Sequence, residues 1–176
     1  MYIFILGGNS AHNKEWAYSL QKALISLADR VTVHEYAHWS NGEQFIDLDA
    51  ELKALAAILP TADDYILVAK SMGSVLATKG IHQKLFKPAA CIMMGIPLQI
   101  IDDQHIAFKD WASTASCRLT YVQNDHDPLG SFMDVKAYLQ EIIVDSQLHV
   151  LPGETHDYID FDMLEGIVAN EIRALT

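Results

Sequence analysis

Residues 66–77 read Ile-Leu-Val-Ala-Lys-Ser-Met-Gly-Ser-Val-Leu-Ala, an apolar strand pattern running into a helical one with Ser71 at the corner. A serine hydroxyl held there can act as a nucleophile if an imidazole takes its proton and a carboxylate fixes the tautomer of that imidazole. The corner itself demands small residues two positions to either side, because a tight strand-to-helix turn brings the two backbones together. Ala69 and Gly73 meet that demand. The other Ser-x-Gly, Ser40-Asn41-Gly42, has bulky His38 at the position that must be small, and no helical pattern follows it. A plainer use of Ser71 is to cap a helix starting near Ser74, since serine is a good N-cap.

The partners such a serine needs are available further along. His156 stands in Leu151-Pro-Gly-Glu-Thr-His-Asp157, directly after the last strand pattern, and Asp125 and Asp127 share the turn Asn124-Asp-His-Asp-Pro128 after the strand before it. The chain has eight histidines, so the type alone decides nothing. His12 and His126 fall in loops at the same end, His149 falls in a strand, and His34, His38, His82 and His105 belong to no evident constellation. A metal centre would need further ligands at spacings that the Asp125-His126-Asp127 cluster does not have. Neither a metal nor a cofactor is expected.

To bring residues 71, 125–127 and 156 together, the chain needs a scaffold that places several loops at one end. Short β patterns at 2–6, 30–36, 64–69, 89–94, 117–122 and 147–151 alternate with helical ones, as in a parallel sheet wound with crossover helices. Residues 2–6, 65–69 and 90–94 are nearly continuous apolar runs, which assigns them to central strands buried on both faces. Val31/Val33 and Leu148/Val150 alternate with polar neighbours and belong at the margins. The helices carry one-sided stripes: Trp16, Leu20, Leu24 and Leu27; Leu48, Leu52, Leu55 and Leu59; Phe132, Val135, Leu139 and Ile142; and Phe161, Leu164, Val168, Ile172 and Leu175. Pro60 and the turn Thr61-Ala-Asp-Asp64 stop the second of them. With the second strand outside the first, the order is 2-1-3-4-5-6, and a crevice opens where the first and third strands diverge. The loops facing it are Gly7–Glu15 and Lys70–Gly73.

The corner at Ser71 resembles the nucleophile elbow of the α/β-hydrolase superfamily, G-x-S-x-G, with Ala69 in place of the first glycine. An Asp-Pro after the penultimate strand and a Gly-x-x-His after the last resemble the acid and base loops of that family, and together the likeness runs from the first strand to the last helix. It implies an α/β fold of three layers, a six-stranded mainly parallel sheet with helices on both faces, in a single domain over residues 1–176. It also implies a serine hydrolase acting on an ester, thioester or related acyl bond through an acyl-enzyme on Ser71, with His156 as general base. Of the two carboxylates, the one followed by Pro128 fits the family pattern, which favours Asp127 over Asp125. The oxyanion donors are expected to be the backbone N–H of Met72, at a helix N-terminus, and that of Asn9 in the Gly7-Gly-Asn-Ser10 loop. Lys70, beside the nucleophile, reads as solvated.

The family usually inserts a lid after the strand equivalent to 89–94, where only residues 95–116 are available. Small or flexible acyl substrates are therefore expected rather than bulk lipid. Met93, Met94, Ile96, Pro97, Leu98, Ile100 and Ile101 are the apolar residues at hand for an acyl side, with packing as the expected role of most. Two other classes compete: a non-catalytic relative that binds in the same crevice, and a nucleotide or flavin binder. The second lacks a G-x-G-x-x-G fingerprint.

The bulk properties narrow the partners. Against 23 Asp and Glu stand 12 Lys and Arg, so the net charge of −11 repels a phosphate backbone or an anionic membrane surface. No apolar run approaches the ~20 residues that span a bilayer. Met1–Leu6 has no basic segment before it and no cleavage pattern behind it, and the two cysteines, Cys91 and Cys117, fit core positions in a reducing compartment. The expected protein is cytoplasmic, with a small-molecule partner.

Overall fold

The computed structural model describes residues 1–60, 65–140 and 146–175. Among them, β1 (Tyr2–Leu6), β2 (Arg30–His34), β3 (Tyr65–Lys70), β4 (Ala90–Met94), β5 (Arg118–Asn124) and β6 (Ser146–Leu151) form one sheet. Its order is β2-β1-β3-β4-β5-β6, as predicted, and every neighbouring pair is parallel. The helices are α1 (Asn13–Leu24), α2 (His38–Asn41), α3 (Leu48–Ala56), α4 (Met72–His82), α5 (Leu98–Asp103), α6 (Phe108–Ser113), α7 (Phe132–Leu139) and α8 (Phe161–Leu175).

Because side chains alternate along a strand, the central strands feed two cores. Ile3, Ile5, Ile66, Val68, Ile92 and Met94 pack on one face against Trp16, Leu20 and Leu24 of α1 and Leu164, Ile167 and Val168 of α8. Phe4, Leu6, Leu67, Ala69, Cys91 and Met93 pack on the other against Leu52 and Leu55 of α3, Val75 and Leu76 of α4, Phe108 of α6 and Leu139 of α7. Both faces of β3 and β4 are buried along their full length, whereas β2 and β6 keep exposed positions at the margins. Truncating one of these central side chains, for example Ile92→Ala, is expected to cost about 2–5 kcal/mol. The end of β3, where Ser71 sits, is thus fixed from both sides.

Element ends depart from expectation where pairing or a cap decides them. β2 stops at His34 instead of 36, because Tyr36 turns away and donates its hydroxyl to the Gly7 carbonyl, 3.0 Å distant. β3 continues to Lys70, paired with Met94, and β5 runs on to Asn124, paired with Leu151. Asp47 starts α3 by accepting from the N–H groups of Asp49 and Ala50. A Ser131–Asp134 capping box starts α7. The Thr61–Asp64 turn and Ile142 lie outside the described residues. No described helix is long and apolar enough to cross a membrane.

Candidate active site

β3 passes into α4 through a single residue of unusual backbone. Ser71 has φ 54° and ψ −123°, a conformation that costs a non-glycine residue about 1–3 kcal/mol and persists only where its surroundings impose it. Here the Ser71 N–H donates to the Met94 carbonyl of the adjacent strand at 2.9 Å, while the Ser71 carbonyl accepts from Ser74 N–H at 2.8 Å. The Ser71 side chain makes no capping bond to α4, so the plainer use considered for it does not hold. Gly73 is dictated by contact: a Cβ there would lie 2.4 Å from the Leu6 carbonyl oxygen and 2.5 Å from that of Gly7. Those are backbone atoms of the neighbouring strand end and cannot move aside.

Asp127 is 3% exposed, and its two oxygens are fully engaged. Oδ1 accepts from Leu129 N–H at 2.8 Å, Oδ2 accepts from the Tyr158 hydroxyl at 2.7 Å, and His156 Nδ1 lies 2.8 Å from Oδ2 and 3.0 Å from Oδ1. With Nδ1–H donating to this carboxylate, Nε2 is the basic nitrogen of the neutral ring. It is buried and has no hydrogen-bond partner among the described residues. The ring lies over the end of β4, where a Cβ on Gly95 would come within 2.9 Å of His156 Cε1. Gly95 follows the Met94 carbonyl that holds Ser71, so the imidazole and the elbow meet at neighbouring strand ends. Asp125 points elsewhere: it accepts from Gly153 N–H at 2.8 Å, a bond that holds its carboxyl below the usual range.

At Met72 the start of α4 leaves the backbone N–H without an intrahelical acceptor. Asn9 is gripped by the 36–46 segment. Its carbonyl accepts from His38 Nε2 at 2.6 Å and Trp39 Nε1 at 3.2 Å, its Oδ1 accepts from Ile46 N–H, and its Nδ2 donates to the Gln44 carbonyl. That leaves the backbone N–H as the one polar group of Asn9 without a protein partner among the described residues. His34 and His38, which had no evident constellation in the sequence, both serve this segment. His34 Nε2 lies 2.8 Å from Oε2 of buried Glu51, whose other oxygen accepts from Ala37 N–H.

Lys70 corrects the expectation of a solvated side chain. Strand alternation turns it to the α1 face, where it is 5% exposed, donates to Asn13 Oδ1 at 2.9 Å and lies 5.1 Å from the centroid of the Trp16 ring. Burial lowers its pKa to about 8, opposed by the nearby carboxylates of Asp157 and Asp127. Tyr158, at φ 56°, was missed altogether. Its hydroxyl accepts from Asn124 N–H as it donates to Asp127, its carbonyl accepts from Trp16 Nε1, and burial together with the Asp127 charge pushes the phenol pKa up. No local spacing signals these partners. Trp16 and Asn13 come from the first helix and Tyr158 from the loop after the last strand.

Two cavities flank the elbow. One, of about 480 Å³, is lined by His156, Lys70, Asn13, His12, Ser10 and Asp157 among others, and the second, of about 320 Å³, by Asn9, Met72, Phe45, Ile46, Leu48, Ile100 and Gln104. Of the apolar residues expected near an acyl group, Ile100 reaches the second cavity, whereas Met93, Met94 and Ile96 are fully buried in the cores. Another concavity, of about 770 Å³, includes Phe86, Ala89 and Cys117. These residues precede β4 and β5, so it opens at the opposite end of the sheet from Ser71. No group of three or more potential metal ligands occurs among the described residues.

No family model matches the chain, and no curated protein matches it. Solved structures do. An alpha-beta serine hydrolase homologue from Coxiella burnetii superposes with a TM-score of 0.76 at 19% identity, covering 97% of this chain and 84% of that one. Est1E from Butyrivibrio proteoclasticus, solved with ferulic acid bound, gives 0.76 at 13% identity over 99% and 88% of the two chains. Mouse alpha/beta hydrolase domain-containing protein 10 gives 0.76 at 15% identity over 99% and 90%. With the parallel order β2-β1-β3-β4-β5-β6 and helices on both faces, the chain has the α/β-hydrolase fold.

Proposed function

We propose that the protein is a serine hydrolase that cleaves an ester, thioester or related acyl bond of a small substrate, with Ser71 as nucleophile, His156 as general base and Asp127 as the orienting carboxylate. The observation that carries this reading is the state of the imidazole. Nδ1 is tied to a buried, fully bonded carboxylate while Nε2 has no hydrogen-bond partner among the described residues and is left as the ring's basic nitrogen. Nε2 takes the Ser71 proton as Oγ bonds to the acyl carbon, and the charge that develops on the carbonyl oxygen meets the N–H groups of Met72 and Asn9. Collapse breaks the bond to the leaving group, which departs with the proton from Nε2. A water then attacks the acyl-enzyme by the same route, releasing the acid and restoring Ser71. The similarity to solved serine hydrolases and esterases supports the reading, and no cofactor enters any step.

The test is the kinetics of ester hydrolysis in three variants. Ser71→Ala and His156→Ala should each lower kcat by roughly 10⁴-fold or more, and the double variant should be scarcely worse than either, since the pair acts as one unit. Undiminished turnover in Ser71→Ala, or losses that simply multiply, would exclude the assignment.

A further inference from the structure

We infer that residues 36–46 form a clamp on the Gly7–Asn9 loop, with His38 and Trp39 as positioning residues that hold the Asn9 N–H where an oxyanion develops. The inference rests on the proposed acyl transfer and adds to it the side chains that make one of its two donors rigid. A donor stabilises developing charge fully only when it is already aimed, since a peptide that must turn during the reaction gives back part of the gain. The Asn9 N–H belongs to the peptide that joins Gly8 to Asn9, and a glycine leaves such a peptide unusually free to turn. Contact nevertheless favours glycine at both positions of the loop. A Cβ on Gly7 would lie 2.9 Å from Trp39 Cη2, and one on Gly8 would lie 2.9 Å from Nδ2 of Asn13, whose amide is tied to the Ser10 carbonyl and to Lys70. Rigidity has to come from outside the loop.

The 36–46 segment supplies it on both sides of that peptide. Before it, the Gly7 carbonyl accepts from the Tyr36 hydroxyl at 3.0 Å; after it, the Asn9 carbonyl accepts from His38 Nε2 at 2.6 Å and from Trp39 Nε1 at 3.2 Å. The Asn9 side chain is pinned as well, by the Ile46 N–H at 2.8 Å and the Gln44 carbonyl at 3.0 Å. The Asn9 N–H is left unbonded among the described residues, and Asn9 and Met72 line the same cavity. His38 separates this role from plain packing. It is 6% exposed, and its Nδ1 is buried without a partner among the described residues. A leucine would fill the space without stranding a nitrogen, so what the imidazole adds is its bond to Asn9. The clamp is anchored in turn, because Ala37 N–H donates to Glu51 Oε1 at 2.8 Å while Glu51 Oε2 lies 2.8 Å from His34 Nε2, both side chains being buried.

A trifluoromethyl ketone reads the donor directly: Ser71 Oγ bonds to its carbonyl carbon, the Ser71 proton passes to His156 Nε2, and an oxyanion is left in the place of the reaction's own. With active sites counted by the end point of fluorophosphonate labelling, His38→Leu should lower kcat on a short-chain ester by about tenfold or more, leave KM within about twofold, and weaken the ketone by the factor that kcat loses. His38→Gln, whose amide still offers an N–H, should recover most of both. Trp39→Phe keeps a ring against Gly7 and loses the longer bond, so it should show the same pattern at about threefold, and it carries the test if His38→Leu does not fold. An unchanged kcat per labelled site in the folded variants, a loss that falls on KM with ketone affinity intact, or a His38→Gln enzyme as slow as His38→Leu would each overturn the clamp. An unaltered protein whose Ser71 takes up no fluorophosphonate would instead remove the proposed function beneath it.

Discussion

At the elbow, Ser71 is held by backbone: its own N–H on the Met94 carbonyl, its carbonyl on Ser74, and the bare Cα of Gly73 against the carbonyls of Leu6 and Gly7. Across the crevice, His156 is held by side chains drawn from distant segments, Asp127 against its Nδ1, Tyr158 behind Asp127, and Trp16 on the Tyr158 carbonyl. The difference teaches where each half is vulnerable. A backbone device tolerates no added atom yet needs no particular chemistry from its neighbours. A side-chain relay keeps its shape through many substitutions and loses its effect when a single donor or acceptor is exchanged.

The largest effect should come from the relay. Asp127→Asn is expected to cut kcat by about 10⁴-fold with little change in stability, because an amide in place of the carboxylate favours the wrong imidazole tautomer. Asp125→Asn, two residues away, should cost little, since an amide oxygen still accepts from Gly153 N–H. The reverse ranking, measured by steady-state kinetics, would move the acid to Asp125 and leave the elbow untouched.

Next in size is the backbone half. Gly73→Ala should lower the unfolding free energy in a urea titration by about 3 kcal/mol, since the new Cβ would meet immovable carbonyls. A stability loss of only a few tenths would show that the strand and helix can part, and would break the distinction drawn between the two halves. A smaller effect should follow Tyr158→Phe, which keeps the ring against His156 and removes the hydrogen bond to the Asp127 carboxylate together with the one from Asn124 N–H. A fall in kcat of about tenfold, with KM nearly constant, is expected. Loss as deep as that of Asp127→Asn would make Tyr158 a full member of the relay.

The same contrast explains what could be read from the sequence. The elbow is a local device, so Ala69, Ser71 and Gly73 disclose it within five residues, and the central strands disclose themselves by unbroken apolar runs. His156 and the two turn carboxylates were legible by position after the last two strands. Tyr158 was not, because its partner Asp127 stands 31 positions earlier and nothing in its own neighbourhood requires a phenol. Lys70 was misread for a related reason: strand alternation gives its face, but its burial depends on an amide and an indole of α1. Of the apolar residues 93–101, packing was the expected role of most, and Met93, Met94 and Ile96 are consumed by the cores while Ile100 reaches the cavity at Met72.

The central claim is that a buried Asp127–His156 pair activates the hydroxyl of Ser71, and covalent trapping tests it most directly. A fluorophosphonate incubated with the intact protein and followed by mass spectrometry of its peptides should add one phosphonyl group, on Ser71. The rate should fall by about a thousandfold or more in His156→Ala, and Ser71→Ala should take up none. Labelling at another residue, or labelling of Ser71 at the same rate without His156, would contradict the account.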